Sequence, residues 1–236
     1  MRICILLTAL GAALLVWFVY EKIKKYSVKA AILKSLVSVL FISVALFGWH
    51  SGEGSGELFG LLFVLGLVFG LLGDVWLDLK YVFPEENTLF TYAGFCVFGV
   101  GHILFLSAML SKYALPGKEL YVIVPFALAV LMSLGNSMTE KLMKLNFGSY
   151  KGIVIAYGVL LFSTMLVSGG LCVLHGWQDM TLKLIFIGSV LFTLSDLVLS
   201  GTFFGEGHER PVDIILNYIF YYGAQFTLAL SLLFLK

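Results

Sequence analysis

Long apolar stretches separated by short polar segments dominate this chain. A helix that crosses a bilayer needs about 20 mostly apolar residues, because each residue rises 1.5 Å and the hydrocarbon core is about 30 Å thick. Windows of that length predict eight membrane-spanning helices, at Ile3–Tyr20, Ala30–Trp49, Leu58–Leu79, Leu89–Leu110, Leu120–Leu134, Ile153–Leu174, Leu182–Phe204 and Val212–Leu235. We therefore predict an all-α, polytopic transmembrane helical bundle of about eight spans, with residues 1–236 as a single transmembrane domain.

The fifth and the first of these segments differ from the others. The fifth is the shortest and contains Pro125, so its limits are the least well defined. The first resembles the apolar part of a signal peptide, but it is long, and the polar segment EKIKKY follows it in place of a small-residue cleavage site. We expect it to be retained as a span.

Composition excludes several classes of protein. Of the 236 residues, 60% are hydrophobic and 12% are charged, which is too little polar material for the surface of a soluble domain. The net charge of +1 gives no basic patch for nucleic acid. Cys4, Cys96 and Cys172 form no CxxC pair, so we expect free, buried cysteines and neither a disulfide framework nor a zinc site. The bilayer is the expected partner.

The distribution of lysine and arginine predicts the orientation, because cytoplasmic loops are enriched in both. With the N-terminus outside, the inner loops hold Lys22, Lys24, Lys25, Lys29, Lys80, Lys141, Lys144, Lys151 and Arg210. The outer side then holds Arg2, Lys112, Lys118, Lys183 and Lys236. The larger inner group predicts that both termini lie outside.

Ionisable residues occur inside the predicted spans, where lipid cannot solvate them. A charge near the bilayer centre costs about 2.5–3.5 kcal/mol on insertion scales, so such residues face a protein interior or a water-filled cavity. The residues concerned are Lys34, Asp74, Asp78, His102 and Asp196. We interpret them as candidates for a functional site at membrane depth.

The third span carries two of these carboxyl groups. Asp74 and Asp78 are four residues apart, which places them on one face of a helix. Gly70 and Gly73 flank Asp74 and permit close approach of a neighbouring helix. Asp78 lies nearer the end of its span, so an interfacial position and a functional role are both open for it. Lys34 is a candidate ion-pair partner for one of the aspartates.

The last two spans add uncharged polar groups. Asn217, Tyr221 and Gln225 recur every four residues and form one stripe on a helix, with Tyr222 beside it. Hydrogen bonding between helices and contact with a substrate both explain such a stripe. Ser195 precedes Asp196 and could hydrogen-bond either with it or with its own helix. Neither GxSxG nor HExxH occurs, so no serine-nucleophile or zinc-protease motif is present.

These residues together resemble the YhhN family of lysoplasmalogenase-like membrane proteins. The resemblance rests on Lys34, on GDVWLD at Gly73–Asp78, on His102, on LFTLSD at Leu191–Asp196 and on NYIFYYGAQ at Asn217–Gln225. It covers nearly the whole chain. It implies a lysophospholipid substrate and hydrolysis of the vinyl ether bond of lysoplasmalogens, which gives a fatty aldehyde and a glycerophospho-ethanolamine or -choline.

Vinyl ether hydrolysis is compatible with these residues because it begins with protonation of a carbon atom and needs no nucleophilic side chain. It requires a carboxylic acid and a carboxylate, as in glycosidases. We expect Asp74 and Asp196 to be this pair, in either order, with His102 positioning water or moving a proton. The expected substrate-binding residues are Lys34, Asp78, Ser195, Asn217, Tyr221, Tyr222 and Gln225. No cofactor or metal is expected.

Three other functions remain compatible with the sequence. Buried charges also mark ion and proton pathways, so a transporter or channel is one alternative, although no inverted repeat is evident. A lipid-binding protein whose polar residues only hold helices together is the second. The third is a metal-assisted hydrolase of a lipid amide or ester.

Overall fold

The computed structural model of the protein describes residues 1–24, 28–51, 56–138, 140, 144–205 and 210–236. Within these ranges the chain forms eight α-helices: α1 (Arg2–Lys24), α2 (Val28–Ser51), α3 (Glu57–Val82), α4 (Asn87–Tyr113), α5 (Leu120–Met138), α6 (Lys151–Leu174), α7 (Met180–Phe204) and α8 (Pro211–Ser231). A single 3-10 turn precedes α4 at Pro84–Glu86, and another precedes α6 at Gly148–Tyr150. A third, at Leu232–Phe234, follows α8. The predicted all-helical bundle is confirmed.

The helices differ in how well they suit a membrane. Of the helices in the described ranges, α1, α2, α3, α4, α6 and α7 are long and apolar enough to cross one, and α5 provides a shorter apolar helix, Leu120–Asn136. The last helix, α8, is not among the helices that are apolar enough to cross a membrane, because Asn217, its tyrosines and Gln225 lower its hydropathy. Asn217, Tyr221, Tyr222 and Gln225 are buried inside the bundle, so the outer surface of α8 is more apolar than its composition indicates.

Six helices surround a common interior. Each of α2, α3, α4, α6, α7 and α8 packs against the next in that order, and α8 returns to α2. The first helix packs outside this ring against α2 and α8, and α5 packs outside it against α6. Polar residues that are far apart in the sequence therefore meet inside the ring.

Glycines allow the neighbours of α3 to come close to Asp74. A Cβ atom at Gly73 would lie 2.6 Å from Cδ2 of Phe98 on α4, and one at Gly70 would lie 2.9 Å from Nε2 of Gln225 on α8. Real Cβ contacts are not that short, so a side chain at Gly73 would displace the Phe98 ring and one at Gly70 would displace the end of the Gln225 side chain. The predicted role of these two glycines is confirmed.

The cysteines are free, as expected, but they are not all buried. Cys4 and Cys172 are buried, whereas Cys96 is exposed on the outer surface of α4. The expectation of burial for Cys96 is wrong because the outer surface of a membrane protein contacts apolar lipid. An apolar run therefore does not distinguish the core of the bundle from its lipid-facing side.

Candidate functional site

A cavity of about 310 Å³ lies inside the ring of helices, toward one end of the bundle. At this end α1, α3, α5 and α7 finish and α2, α4, α6 and α8 begin. We call it the lysine-rich end, because it carries the described basic residues Lys22, Lys24, Lys29, Lys80, Lys144, Lys151 and Arg210. Seven of the residues singled out from the sequence line the cavity: Lys34, Asp74, Asp78, Ser195, Asp196, Asn217 and Tyr221.

The cavity extends from the end of the helices well into the bundle. Asp74 and Asp196 each lie eight residues before the last residue of their helices, which corresponds to about 12 Å along the helix axis. Both carboxyl groups line the same cavity. The deeper walls are apolar and include Phe98, Leu161 and Phe162.

A buried lysine joins the two aspartates of α3 to α2. The Nζ atom of Lys34 lies 3.1 Å from Oδ1 of Asp74 and 3.1 Å from Oδ1 of Asp78. All three side chains are buried. Such burial is stable only when the charges are paired, so this ammonium compensates charge on two carboxyl groups at once. Asp78 is therefore a buried partner of Lys34 and is not a solvated residue at the membrane surface.

The second oxygen of Asp74 is held by hydroxyl groups. Its Oδ2 atom accepts hydrogen bonds from Oη of Tyr221 at 2.8 Å and from Oγ of Ser38 at 3.2 Å. Tyr221 in turn accepts a hydrogen bond of 3.0 Å from Nε2 of Gln225. These two hydroxyl groups fix the orientation of the Asp74 carboxyl group and stabilise its charged form, and Gln225 holds Tyr221 in place.

Tyr222 and Gln225 do not line the cavity. Oη of Tyr222 donates to the carbonyl oxygen of Lys34 at 3.1 Å and lies 3.3 Å from Oγ of Ser38. The polar stripe of α8 therefore supports Lys34 and Asp74, and only Asn217 and Tyr221 reach the cavity surface.

Asp196 occupies a different environment from Asp74. Oη of Tyr157 on α6 donates a hydrogen bond to Oδ2 of Asp196. In the part of the chain that the structure describes, Asp196 forms no ion pair with a lysine, arginine or histidine. The cavity thus contains two carboxyl groups, those of Asp74 and Asp78, that are paired with Lys34, and a third, that of Asp196, that has no cationic partner among the described residues.

Ser195 and Asn217 connect α7 to α8. Nδ2 of Asn217 donates to the carbonyl oxygen of Ser195 at 2.9 Å and to its Oγ at 3.0 Å, and Oγ of Ser195 donates to the carbonyl oxygen of Asn217 at 3.2 Å. Of the two roles left open for this stripe, hydrogen bonding between helices is the one that these contacts support. The pair fixes α7 where it carries Asp196.

His102 lies behind the wall of the cavity. Its Nδ1 is 3.0 Å from Oγ1 of Thr164, and its ring centroid is 5.6 Å from that of Tyr157 and 5.0 Å from that of Phe192. Its Nε2 is buried with no hydrogen-bond partner among the described residues. The histidine contacts the ring that holds Asp196 and does not itself line the cavity.

Sequence reasoning did not identify Ser38, Tyr157 or Tyr218. Tyr218 lines the cavity with its ring centroid 5.8 Å from Nζ of Lys34. Tyrosine and serine are common in membrane helices, so neither residue type signals a site. Only their position opposite a carboxyl group or an ammonium group identifies them.

A metal site needs several ligand side chains close together. Among the described residues, no group of three or more histidine, cysteine, aspartate or glutamate side chains is arranged to hold a metal ion. The carboxyl groups of Asp74 and Asp78 instead converge on the ammonium group of Lys34.

Replacement of Tyr157 by phenylalanine tests its role in holding Asp196. The variant keeps the ring but removes the hydroxyl donor, so Asp196 loses the partner of its Oδ2 atom. If Asp196 acts in the reaction, we expect turnover to fall about tenfold and its pH dependence to move, with little change in substrate affinity. A pH–rate profile measures this. An unchanged profile would show that the hydrogen bond has no part in the reaction.

The class of protein follows from this geometry: a helical membrane protein with carboxyl groups that line a cavity inside the bundle. A model of the YhhN family matches residues 29–232, and the chain belongs to this family. The match begins in α2 and includes every helix of the ring, whereas α1 lies before it. No curated protein and no solved structure matches the chain significantly.

Proposed function

We propose that this protein is a multi-pass membrane hydrolase, of the cell membrane if the protein is bacterial, that cleaves the vinyl ether bond of lysoplasmalogens. The products are a fatty aldehyde and a glycerophospho-ethanolamine or -choline. Membership of the YhhN family and the resemblance of the site residues to lysoplasmalogenase-like proteins support this proposal. The observation that carries it is the cavity with the carboxyl groups of Asp74 and Asp196 and with apolar deeper walls.

The reaction needs two carboxyl groups in different protonation states. A carboxylic acid transfers its proton to the β-carbon of the vinyl ether, and the double bond becomes an oxocarbenium ion. Water then adds to the cationic carbon and loses a proton to a carboxylate. The hemiacetal that results collapses to the aldehyde and the glycerol hydroxyl group. Glycosidases divide an acid and a base between two carboxyl groups in the same way.

The surroundings of the carboxyl groups support one assignment of these roles. Asp196 has no cationic partner among the described residues, and an unpaired carboxyl group at membrane depth is stabilised by keeping its proton. Tyr157 holds its Oδ2 atom, so Oδ1 carries the proton to be transferred. We therefore assign the acid to Asp196.

Asp74 suits the second role. Lys34, Tyr221 and Ser38 all interact with its oxygens as donors, so they stabilise its negative charge. A carboxylate fixed in this way stabilises the oxocarbenium ion and receives the proton from the attacking water. Asp78 shares Lys34 and limits how much of the Asp74 charge the lysine neutralises.

The other site residues position these two groups. Ser195 and Asn217 hold α7 beside α8, and Gln225 and Tyr222 act through Tyr221 and Lys34. We assign His102 a positioning role through its contact with Tyr157, because Tyr157 lies between it and Asp196.

Purified protein incubated with lysoplasmalogen tests the function. We expect release of fatty aldehyde and of glycerophospho-ethanolamine or -choline, and no cleavage of the matched lipid with a saturated ether, because a saturated ether has no carbon that can be protonated. A well-folded protein that releases no aldehyde would contradict the proposal. Uptake of protons or ions into liposomes without lipid cleavage would favour the transporter.

A further inference from the structure

The cavity is shallow beyond the two carboxyl groups of the proposed reaction. Its innermost lining residues on α3 and α7 are Asp74 and Ser195, so on these two helices the cavity ends at the aspartates. On α6 it continues from Tyr157, the partner of Asp196, as far as Phe162, which corresponds to about 8 Å along the helix axis. Along the described helices, the cavity therefore has room for a short apolar group beyond the carboxyl groups.

The hydrocarbon tail of a lysophospholipid is longer than this part of the cavity. An extended hexadecyl chain measures about 19 Å. In a lysoplasmalogen the tail begins at the β-carbon of the vinyl ether, so it starts where the bond is cleaved. Deeper in the bundle the ring of Phe192 packs against its neighbours, with its centroid 6.2 Å from that of Phe98 and 5.0 Å from that of His102. Most of the tail therefore has to leave the cavity when the vinyl ether lies at Asp74 and Asp196.

The cavity also extends sideways, between α6 and α7. Its lining includes Asn136 of α5, although α5 packs outside the ring of helices. Gly158 of α6 lines the cavity too, and it lies against α5, because a Cβ atom there would be 2.6 Å from Oγ of Ser133. Leu197 lines the cavity on α7, directly after Asp196. A cavity that reaches from Asp196 to α5 has to pass between α6 and α7.

The surface of this sideways extension is mainly apolar and partly exposed. We call it the lateral opening and define it by the cavity-lining residues Asn136, Val154, Gly158, Leu197 and Ser200. All of them are partly exposed, whereas Leu161 and Phe162 of the deeper wall are buried. Oγ of Ser200 donates to the carbonyl oxygen of Leu197 at 2.9 Å, so this hydroxyl group forms its hydrogen bond within α7.

The segment before α6 is joined to the last residues of α7 at the lysine-rich end. Leu145 and Gly205 form an isolated antiparallel bridge. The backbone nitrogen of Asn146 donates to the carbonyl oxygen of Phe204 at 2.7 Å. Phe147 is fully buried, and its ring centroid lies 5.0 Å from that of Phe204. Because these contacts connect α6 and α7 at their ends, the lateral opening leads to the side of the bundle.

We propose that the lateral opening holds the hydrocarbon tail of a lysophospholipid and lets it extend into the bilayer while the vinyl ether lies at Asp74 and Asp196. This inference rests on the proposed function and adds the direction in which the substrate lies. The opening begins beside Asp196, since Leu197 follows it directly in α7. Its apolar surface keeps the tail in apolar surroundings, so the methylene groups are not transferred to water during binding.

Binding of two uncleavable lipids tests the inference without depending on catalysis. The probes are lysophosphatidylcholines with a saturated ether and either a hexadecyl or a hexyl tail. A hexyl tail is about 6 Å long and fits the part of the cavity beyond the carboxyl groups. Leu197→Trp and Val154→Trp fill the lateral opening from its two sides. We expect each variant, in maltoside detergent, to bind the hexadecyl lipid about tenfold or more weakly than the wild type, and the hexyl lipid within about twofold.

Leu194→Trp is the matched control. Leu194 lies on the same helix as Leu197, is 39% exposed and does not line the cavity, so the same substitution there should change neither affinity. Val154→Trp lies on a different helix from Asp196 and keeps the test valid if Leu197→Trp disturbs that carboxyl group. Unchanged affinity for the hexadecyl lipid in both opening variants, or equal weakening for both lipids, overturns the inference.

The outcome for the lateral opening is separate from the outcome for the proposed function. Selective weakening of the hexadecyl lipid in a protein that releases no aldehyde from lysoplasmalogen would contradict the proposed function and leave the lateral opening in place. Release of aldehyde by a protein in which neither variant weakens binding of the hexadecyl lipid would contradict the inference alone.

Discussion

Asp196→Asn is expected to lower the rate of aldehyde release from lysoplasmalogen by about 10²- to 10⁴-fold, the range that general acid catalysis contributes. Asparagine has nearly the same shape and can still accept a hydrogen bond from Tyr157, so the bundle should fold normally. It has no proton that can be transferred to carbon, so the first step of the reaction loses its acid. Purified wild-type and variant proteins with equal melting temperatures, assayed for aldehyde, provide the measurement.

The same substitution elsewhere on α7 is the matched control. Asp179 is the N-cap of this helix at the opposite end of the bundle, where its Oδ1 accepts a hydrogen bond from the backbone nitrogen of Leu182. Asparagine is as good an N-cap residue, so Asp179→Asn should keep both stability and activity. If Asp196→Asn released aldehyde at the rate of Asp179→Asn, Asp196 would not be the acid.

Lys34→Met should have the largest effect on stability. It removes the ammonium group 3.1 Å from both Asp74 and Asp78 and leaves their carboxyl groups buried without a cation. Removal of one partner from a buried ion pair costs about 3–5 kcal/mol, so we expect a large decrease in the free energy of unfolding and a lower melting temperature. Reversible unfolding in mixed micelles measures the free energy directly.

Two variants distinguish this effect from a general intolerance of α2 to substitution. Lys29→Met removes a lysine from the same helix that pairs with Glu21 on the exposed surface, and it should change stability little. Lys34→Met combined with Asp78→Asn removes one of the two uncompensated charges, so it should recover part of the loss. A double variant no more stable than Lys34→Met would indicate that this ion pair is not the cause.

Hydrophobic windows predicted the fold because a bilayer imposes a minimum length on every apolar segment. The eight segments correspond to the eight helices in the described ranges, and no end differs by more than four residues, as at the ends of α1, α5 and α8. The ring of six helices, with α1 and α5 outside it, was not predictable, because hydropathy does not say which apolar face meets protein and which meets lipid. Cys96 shows the same limit, since it lies in an apolar run and faces outward.

The sequence identified those residues of the candidate site whose transfer into lipid costs free energy. Asp74, Asp196 and Lys34 stand out in apolar sequence because a charge at membrane depth needs a compensating environment. Tyr157 and Ser38 do not stand out, because tyrosine and serine are common in membrane helices. These two residues become candidates only when the fold places them against a carboxyl group.

Transfer of a proton to carbon is the central step of this account, and the product of the reaction in heavy water reports it directly. In D₂O the acidic position of Asp196 exchanges to deuterium, so the aldehyde should carry one deuterium on the carbon next to the carbonyl group when it is trapped at once and analysed by mass spectrometry. Aldehyde trapped without deuterium would contradict the account, because the bond would then have been broken without protonation of that carbon.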